Sequence, residues 1–438
     1  MRIPFPLKVL AVVGLGLLLM IPLVMTFGLI ESRNARQMET EAQVARLTAL
    51  PQTVFGPLLV VPYTVEVRRN EKNDKTGNLE EVWEEVEREH CLVPKDLDLQ
   101  GTVAIEARRR GLYRTQVYRM NGPLKGRFAL PDLKALSPGR NLRLGTPYLS
   151  LGLSDPRGLL NRVDLRLEGA VHPFASGSRR AHPAVGIHVL LADLDLQRPR
   201  DIPFEIPLEL MGTRSFSLAP VAEETRLSLT GTWPAPSFEG GFAPVERRWS
   251  KAGFTAQWKV PHLSRNLEAL LEEGPQGQAQ HFGVAFLEPV NIYLQSERAV
   301  KYGFLFVALT FGAFLLRELM RSLPVHPIQY FLVGLSLAVF FLLLLGLAEH
   351  VGFPVAYALA TGANLALLGT YLTAALGDRR EGLLFTGGLA VLYGALYGLL
   401  LSEDNALLLG SLLIFGLLAA VMIGTRKMDW RKAAQRED

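Results

Sequence analysis

The stretch Ile328-Gln-Tyr-Phe-Leu-Val-Gly-Leu-Ser-Leu-Ala-Val-Phe-Phe-Leu-Leu-Leu-Leu-Gly-Leu-Ala348 carries no charged side chain. Wound as a helix at about 1.5 Å per residue, a run of that length crosses the ~30 Å hydrocarbon core of a bilayer. Its neighbours read the same way. From 302 to 424 the chain is one apolar block broken by short polar segments whose charge alternates. Arg317 and Arg321 sit in the first break, Glu349 and His350 in the second, Asp378, Arg379, Arg380 and Glu381 in the third, and Glu403 and Asp404 in the fourth. Arg426, Lys427, Arg431 and Lys432 follow the last apolar run. Cytoplasmic loops of membrane proteins collect Lys and Arg, so the alternation predicts spans over 302–316, 328–348, 355–376, 383–401 and 406–424, together with their direction.

A further apolar run covers 9–30, preceded by Arg2 and Lys8. It is longer than the ~7–15 residues of a signal-peptide core and no small-x-small cleavage site follows it. It reads as an uncleaved signal anchor, kinked at Pro22, with residues 1–8 in the cytoplasm. A helical extension over 31–50, free of Gly and Pro, ends at Pro51. The expected fold is a membrane protein with six transmembrane helices, one plus five. A large, mostly-β extracytoplasmic domain (51–298) is inserted between the first and second, the bundle spans 299–424, and a cytoplasmic tail follows from 425 to 438.

The inserted domain differs in texture. Pro and Gly punctuate it, and between them lie runs such as 58–61, 102–107, 113–118, 163–169, 186–191, 204–210, 226–232 and 253–260. Several alternate polar with apolar residues, the period of a half-buried strand, which predicts antiparallel sheets in a sandwich-like arrangement. One helix is expected over 264–273 with Ser264 as N-cap. The acidic segment 80–89 reads as a solvated hairpin strand. No fixed repeat appears, which argues against propellers and solenoids.

Composition narrows the function. The 438 residues are 49% hydrophobic yet 20% charged, with net charge +4, so polar and apolar residues are segregated and the scattered cations give no support to nucleic-acid binding. Cys91 is the only cysteine, which rules out an intramolecular disulfide and leaves a small half-buried strand residue as its reading. No Gly-x-Ser-x-Gly elbow, His-Glu-x-x-His or Walker loop is present. His172, His182 and His188 lie close in sequence but at no ligand-like spacing, and read as ordinary loop or strand histidines. No cofactor is expected.

Ionisable and amide groups inside the bundle are costly in hydrocarbon and therefore the candidate functional residues. Thr361 and Asn364 fall mid-span, where they either line a path or hydrogen-bond across a helix interface. Glu349 and His350 fall at a helix end and read as interfacial, a proton relay being the alternative. Gly394 with Gly398, and Gly334 with Ala338, have the small-x-x-x-small spacing that lets helices approach. The segment Arg321-Ser-Leu-Pro-Val-His326-Pro-Ile-Gln-Tyr330 reads as a rigid turn in which Pro327 opens a helix, with contact to a partner as the alternative.

The chain resembles the CreD family of inner-membrane proteins, associated with cell-envelope integrity. The resemblance runs through Lys301-Tyr-Gly-Phe-Leu-Phe-Val-Ala-Leu-Thr-Phe311, His326-Pro-Ile-Gln-Tyr-Phe-Leu-Val-Gly-Leu-Ser336, Leu347-Ala-Glu-His350 and Thr425-Arg-Lys-Met-Asp-Trp430. In the inserted domain it includes Gly56-Pro-Leu-Leu-Val-Val-Pro62, Gly111-Leu-Tyr-Arg-Thr-Gln-Val-Tyr118, Ser154-Asp-Pro-Arg-Gly158, Trp233-Pro-Ala-Pro-Ser-Phe238 and Gly253-Phe-Thr-Ala-Gln-Trp258. It implies a bacterial inner-membrane protein tied to envelope stress, with no catalytic residue to carry over. The expectation is a non-enzymatic, multi-pass protein with both termini cytoplasmic and a periplasmic domain. Its partners would be the lipid bilayer and an envelope protein or cell-wall component, and its oligomeric state is left open. The alternative is a transporter or flux protein using the C-terminal bundle, with the outer domain as receptor.

Overall fold

The computed structural model describes residues 5–72, 79–132, 140–181, 183–196, 198–273, 281–286, 291–321, 325–375, 378–402 and 405–426. The chain divides into a helical unit, Met1–Glu39 with Val290–Asp438, and a β-rich unit, Thr40–Pro289.

Helix α1 (Phe5–Leu18) is followed after a single residue by α2 (Met20–Leu47). The interruption at Leu19 has a local cause. Pro22 offers no N–H to the Leu18 carbonyl and its ring crowds that group. Thr26 then donates its hydroxyl to Pro22 O (2.8 Å). Helix α3 (Leu267–Glu273) belongs to the β-rich unit. The helical unit resumes with α4 (Ile292–Lys301), α5 (Gly303–Arg321), α6 (Pro327–Val351), α7 (Phe353–Ala375), α8 (Arg379–Leu401) and α9 (Ala406–Thr425). Pro327 opens α6, and His326 caps it. The His326 ring accepts from Ile328 N (3.4 Å) while Gln329 Oε1 accepts from His326 N (3.0 Å).

These helices expose apolar side chains that water would not tolerate in such numbers. Val339 on α6, Leu367 on α7, Val391 on α8 and Phe415 on α9 are examples. Helices apolar on every face suit a hydrocarbon solvent, with their backbone groups satisfied internally. Among the described residues, five helical stretches are long and apolar enough to cross a membrane: Val9–Leu47, Ile292–Leu316, Pro327–Val351, Phe353–Ala375 and Arg379–Leu401. The 20-residue apolar α9 lies where the last span was expected. One boundary changes. Residues 292–301, assigned mostly to the β-rich domain by sequence, are helical and lead into α5. They bury Tyr293, Ser296, Ala299 and Val300 on one face, which is the 3–4 spacing of an amphipathic helix. Lys301 pairs with Glu297 at 2.7 Å, one turn away.

Among the described residues the β-rich unit holds two sheets. In the 9-stranded sheet the long strand Gln52–Lys72 is the hub. It pairs with Leu79–Leu92, Arg140–Leu144, Tyr148–Leu153 and Ser215–Leu218. In the 8-stranded sheet Pro94–Arg110, Tyr113–Leu130 and Arg200–Thr213 lie side by side. Burial alternates along Glu224–Gly231 and Gly253–Pro261, so one set of side chains, Leu227, Leu229, Phe254, Ala256 and Trp258 among them, joins a single apolar core. The acidic segment is indeed a hairpin strand, paired from Leu59↔Leu92 to Lys72↔Leu79.

Two expectations are corrected here. The sheets are mixed, since Gln52–Lys72 runs parallel to Ser215–Leu218 and Pro94–Arg110 runs parallel to Glu224–Gly231. Parallel partners come from distant segments joined by crossovers, and a strand's own alternation carries no sign of its partner's direction. The expected helix begins at Leu267. Ser264 instead ends a 3-10 turn and donates its hydroxyl back to Pro261 O (2.7 Å).

Candidate functional site

The polar residues of the helical unit converge into interhelical pairs. Glu349, near the end of α6, has a carboxylate with only 7% exposure. Its Oε1 accepts from the Tyr293 hydroxyl of α4 (3.1 Å) and lies 3.7 Å from Arg33 Nε of α2. One carboxylate thus links three helices, which is how a charge at a membrane boundary is made tolerable. Its neighbour His350 is exposed and turns its Nδ1 to Gly346 O (3.1 Å). The two side chains are not brought together as a relay.

Asn364, 6% exposed on α7, faces α6. Its Nδ2 donates to Ser336 O (2.7 Å), and Ser336 Oγ donates to Asn364 Oδ1 (3.1 Å). Thr361, one turn away on the same helix, is half-buried, and its Oγ1 interacts with the Tyr357 side chain. Nearby in sequence, Tyr357 donates its hydroxyl to Tyr393 O of α8 (2.7 Å), and the buried Tyr393 hydroxyl has no partner among the described residues. Aromatic rings enclose that region, with Tyr393 centred 4.7 Å from both Phe306 and Phe340.

Sequence reasoning passed over Glu318. On α5 it accepts from the Tyr330 hydroxyl (3.0 Å) and from Val325 N (3.4 Å), closing the turn that was expected to be rigid. The signal was available, because an acid among the arginines at a helix end and an aromatic hydroxyl twelve residues later can meet across a tight helical hairpin. Glu381, 6% exposed at the start of α8, is a buried acid, although its charge-rich neighbours predict a loop.

The glycine expectations divide. Gly334 is a close approach, where an added Cβ would lie 2.1 Å from Leu19 Cδ1 and 2.8 Å from Phe311 Cζ. Gly394 and Gly398 have nothing within 4 Å of an added Cβ, so their spacing does not mark a helix contact among the described residues. The close α7–α8 contact is at Gly382, whose Cβ would meet Thr373 Cα at 2.6 Å.

In the β-rich unit His172 lies in Ala170–Pro173 of the 8-stranded sheet and His188 in Gly186–Leu190 of the other. His182 lies outside the described residues. His188 Nδ1 sits 2.6 Å from Gly177 O. Among the described residues no group of three His, Cys, Asp or Glu could hold a metal ion. Cys91 is half-buried in strand Leu79–Leu92, and burial raises its thiol pKa. A low-pKa, reactive thiol needs the opposite environment.

The most organised polar cluster in this unit is at Ser154-Asp-Pro-Arg-Gly158. Asp155, 5% exposed, accepts bidentately from Arg157, with Nε to Oδ1 at 2.8 Å and Nη2 to Oδ2 at 2.6 Å. It also accepts from Leu50 N (3.0 Å). The Arg157 guanidinium holds the Asp155 carboxyl below its usual pKa. Arg157 Nη1 then donates to Arg46 O (2.7 Å) in the last turn of α2, satisfying a carbonyl that a helix end leaves open. The motif therefore ties residues 46–50, at the end of α2, to Asp155 and Arg157 within the β-rich unit. A depression of about 420 Å³ on the 8-stranded sheet is lined by Asp96, Asp98, Lys125, Arg127, Glu224 and Arg226. Its ionic groups neutralise one another: Arg127 with Asp96 (2.7 Å), Lys125 with Glu205 (3.7 Å), and Glu224 with Arg226 and Lys259.

A family model described as "Inner membrane protein CreD" matches residues 4–431 of the chain. The inner membrane protein CreD of Escherichia coli (strain K12) is 34% identical over 430 residues, covering 97% of this chain and 93% of the relative. Among solved structures, native yeast LTA4 hydrolase aligns at 8% identity and a TM-score of 0.20, covering 50% of this chain and 34% of that one. A superposition that weak carries no argument about fold or activity.

Proposed function

The chain belongs to the CreD family of inner membrane proteins, and from that premise we propose that it supports cell-envelope integrity or envelope-stress resistance without catalysing a reaction. In this reading it spans the inner membrane six times, with α9 as the last span, both termini cytoplasmic and the β-rich unit periplasmic. The alternation of basic and acidic breaks supports that orientation. The β-rich unit acts by contact with an envelope protein or cell-wall component.

The observation that carries the non-transport reading is the use made of polar groups in the helical unit. Asn364 bonds Ser336, Glu349 meets Tyr293 and Arg33, and Glu318 holds Tyr330. Each is consumed in joining helices, as expected of polar glue. A second reading, solute passage through the bundle, draws on the buried Tyr393 hydroxyl, which has no hydrogen-bond partner among the described residues.

Complementation separates the two. In cells lacking the native protein, Asn364→Ala and Thr361→Val are expected to retain envelope-stress resistance at normal membrane levels, whereas removal of the β-rich unit abolishes it. Loss of resistance from either point variant at full membrane level would favour passage through the bundle. Photo-crosslinking from exposed β-unit positions in intact cells then identifies the partner.

A further inference from the structure

Strands Pro94–Arg110 and Tyr113–Leu130 pair down to Arg110↔Tyr113, leaving Gly111 and Leu112 as a two-residue turn with Gly111 at φ 63. A tight hairpin of this kind needs positive φ at its first central position. Beyond Glu106↔Val117 the first strand and the turn face solvent, while Thr115 and Gln116 on the second strand stay buried and half-buried. Ala107, Arg108, Arg109 and Gly111 are exposed, Leu112 is 48% exposed at the apex, and Tyr113 is half-buried.

The tip reads Arg108-Arg-Arg-Gly-Leu-Tyr-Arg114, and no Asp or Glu occurs between Glu106 and Asp132. Register places Arg109 directly opposite Arg114, a like-charge arrangement that weakens a hairpin. Several other cations on this sheet are matched: Arg127 with Asp96, Arg166 with Glu205, Arg200 with Glu168. Arg108 and Arg109 have no acidic partner among the described residues. The two-stranded arm therefore carries a basic tip whose Arg108 and Arg109 find no acidic partner among the described residues.

We propose that this tip docks on an anionic phospholipid surface. Arginine forks suit phosphate oxygens. An apolar side chain at the apex beside a tyrosine is the arrangement of interfacial anchors, in which the apolar group enters the headgroup boundary and the aromatic hydroxyl stays wet. A purely electrostatic polyanion site would have no use for Leu112. Each arginine near an anionic leaflet strengthens attraction about fivefold, and salt screens it.

The test uses the full chain in nanodiscs of phosphatidylcholine or of phosphatidylglycerol mixed with phosphatidylcholine, with amide exchange measured over 107–115. Protein-free vesicles of the same two compositions are added in a second arm, with capture read by flotation, so that the chain's own bilayer and a facing one are both covered. Phosphatidylglycerol is expected to slow exchange at the tip or to increase vesicle capture. The effect should fall by about tenfold or more in Arg108→Glu/Arg109→Glu and at high salt. Leu112→Ser should weaken it while leaving its salt dependence. Exchange over Glu224–Gly231, in the same sheet, reports whether the variants fold. Equal behaviour in both lipids, or a response of the tip to soluble polyphosphate alone, overturns the proposal.

Discussion

Replacing Asn364 by alanine gives the sharpest test of whether the polar groups of the bundle serve packing. The side chain holds α7 to α6 through Nδ2 donating to Ser336 O (2.7 Å) and Oδ1 accepting from Ser336 Oγ (3.1 Å). Interhelical hydrogen bonds in membranes are worth about 0.6 kcal/mol on average and up to about 1.7. Two of them give about 1–2 kcal/mol. The loss stays modest because the Ser336 carbonyl keeps its intrahelical donor and the Ser336 hydroxyl that loses its acceptor is only half-buried. Ser336→Ala removes only the Oγ bond. The cycle through Ser336→Ala, Asn364→Ala and the double variant should therefore return a coupling near 0.6 kcal/mol. Unfolding of the full chain in mixed detergent micelles, followed by the helical circular dichroism band, measures each corner. Complementation run in parallel should show function retained. A coupling indistinguishable from zero would refute the pairing as a source of stability. Loss of function in Asn364→Ala at full stability, with Ser336→Ala silent, would refute the glue argument itself.

Other outcomes follow from the same geometry. Gly382→Ala drives a methyl onto the Thr373 backbone and should cost about 1–3 kcal/mol in the same unfolding assay, whereas Gly394→Ala, with open space around it, should not destabilise. Asp155→Asn removes the charge and one of the two oxygens that accept from Leu50 N and Arg157, so exchange over 46–50 should accelerate while that at Leu227 and Leu229 stays slow. Because the Asp155 pKa is held below 3.8, its contribution is present above that value and lost as pH falls through the lower folded value. A stability–pH profile should show that loss, and Asp155→Asn should abolish it. Tyr148 is buried with its hydroxyl on Glu89 Oε1 (3.0 Å), and burial pushes its pKa from 10.0 to about 12. Its contribution is complete below pH 10 and declines between 10 and 12, so Tyr148→Phe should flatten the alkaline limb of thermal unfolding.

Much of this protein was legible one residue at a time. A charge-free run such as 328–348 has one low-energy answer in hydrocarbon, a helix, because only there are its backbone groups satisfied without water. The alternation in 226–232 and 253–260 likewise declared half-buried strands, and Pro22 and Pro327 announced a helix break and a helix start. These are local consequences of solvent and covalent geometry. What stayed hidden depends on which segments meet. Parallel pairing of Ser215–Leu218 with Gln52–Lys72 depends on crossovers that leave no mark in either strand. Gly334 is a contact and Gly394 is not, although both carry the same spacing, because contact depends on which face turns to a neighbour.

The amino-acid sequence by itself determined that the chain is a membrane protein with several apolar helices and a large mostly-β domain, since hydrophobicity and strand period are properties of the segment alone. Only the tertiary structure decided that Asn364 answers Ser336, that Glu349 gathers Tyr293 and Arg33, and that Asp155 and Arg157 close on the end of α2. A polar group's role is set by the partner within about 3 Å of it, and folding brings those partners from separate elements of the chain.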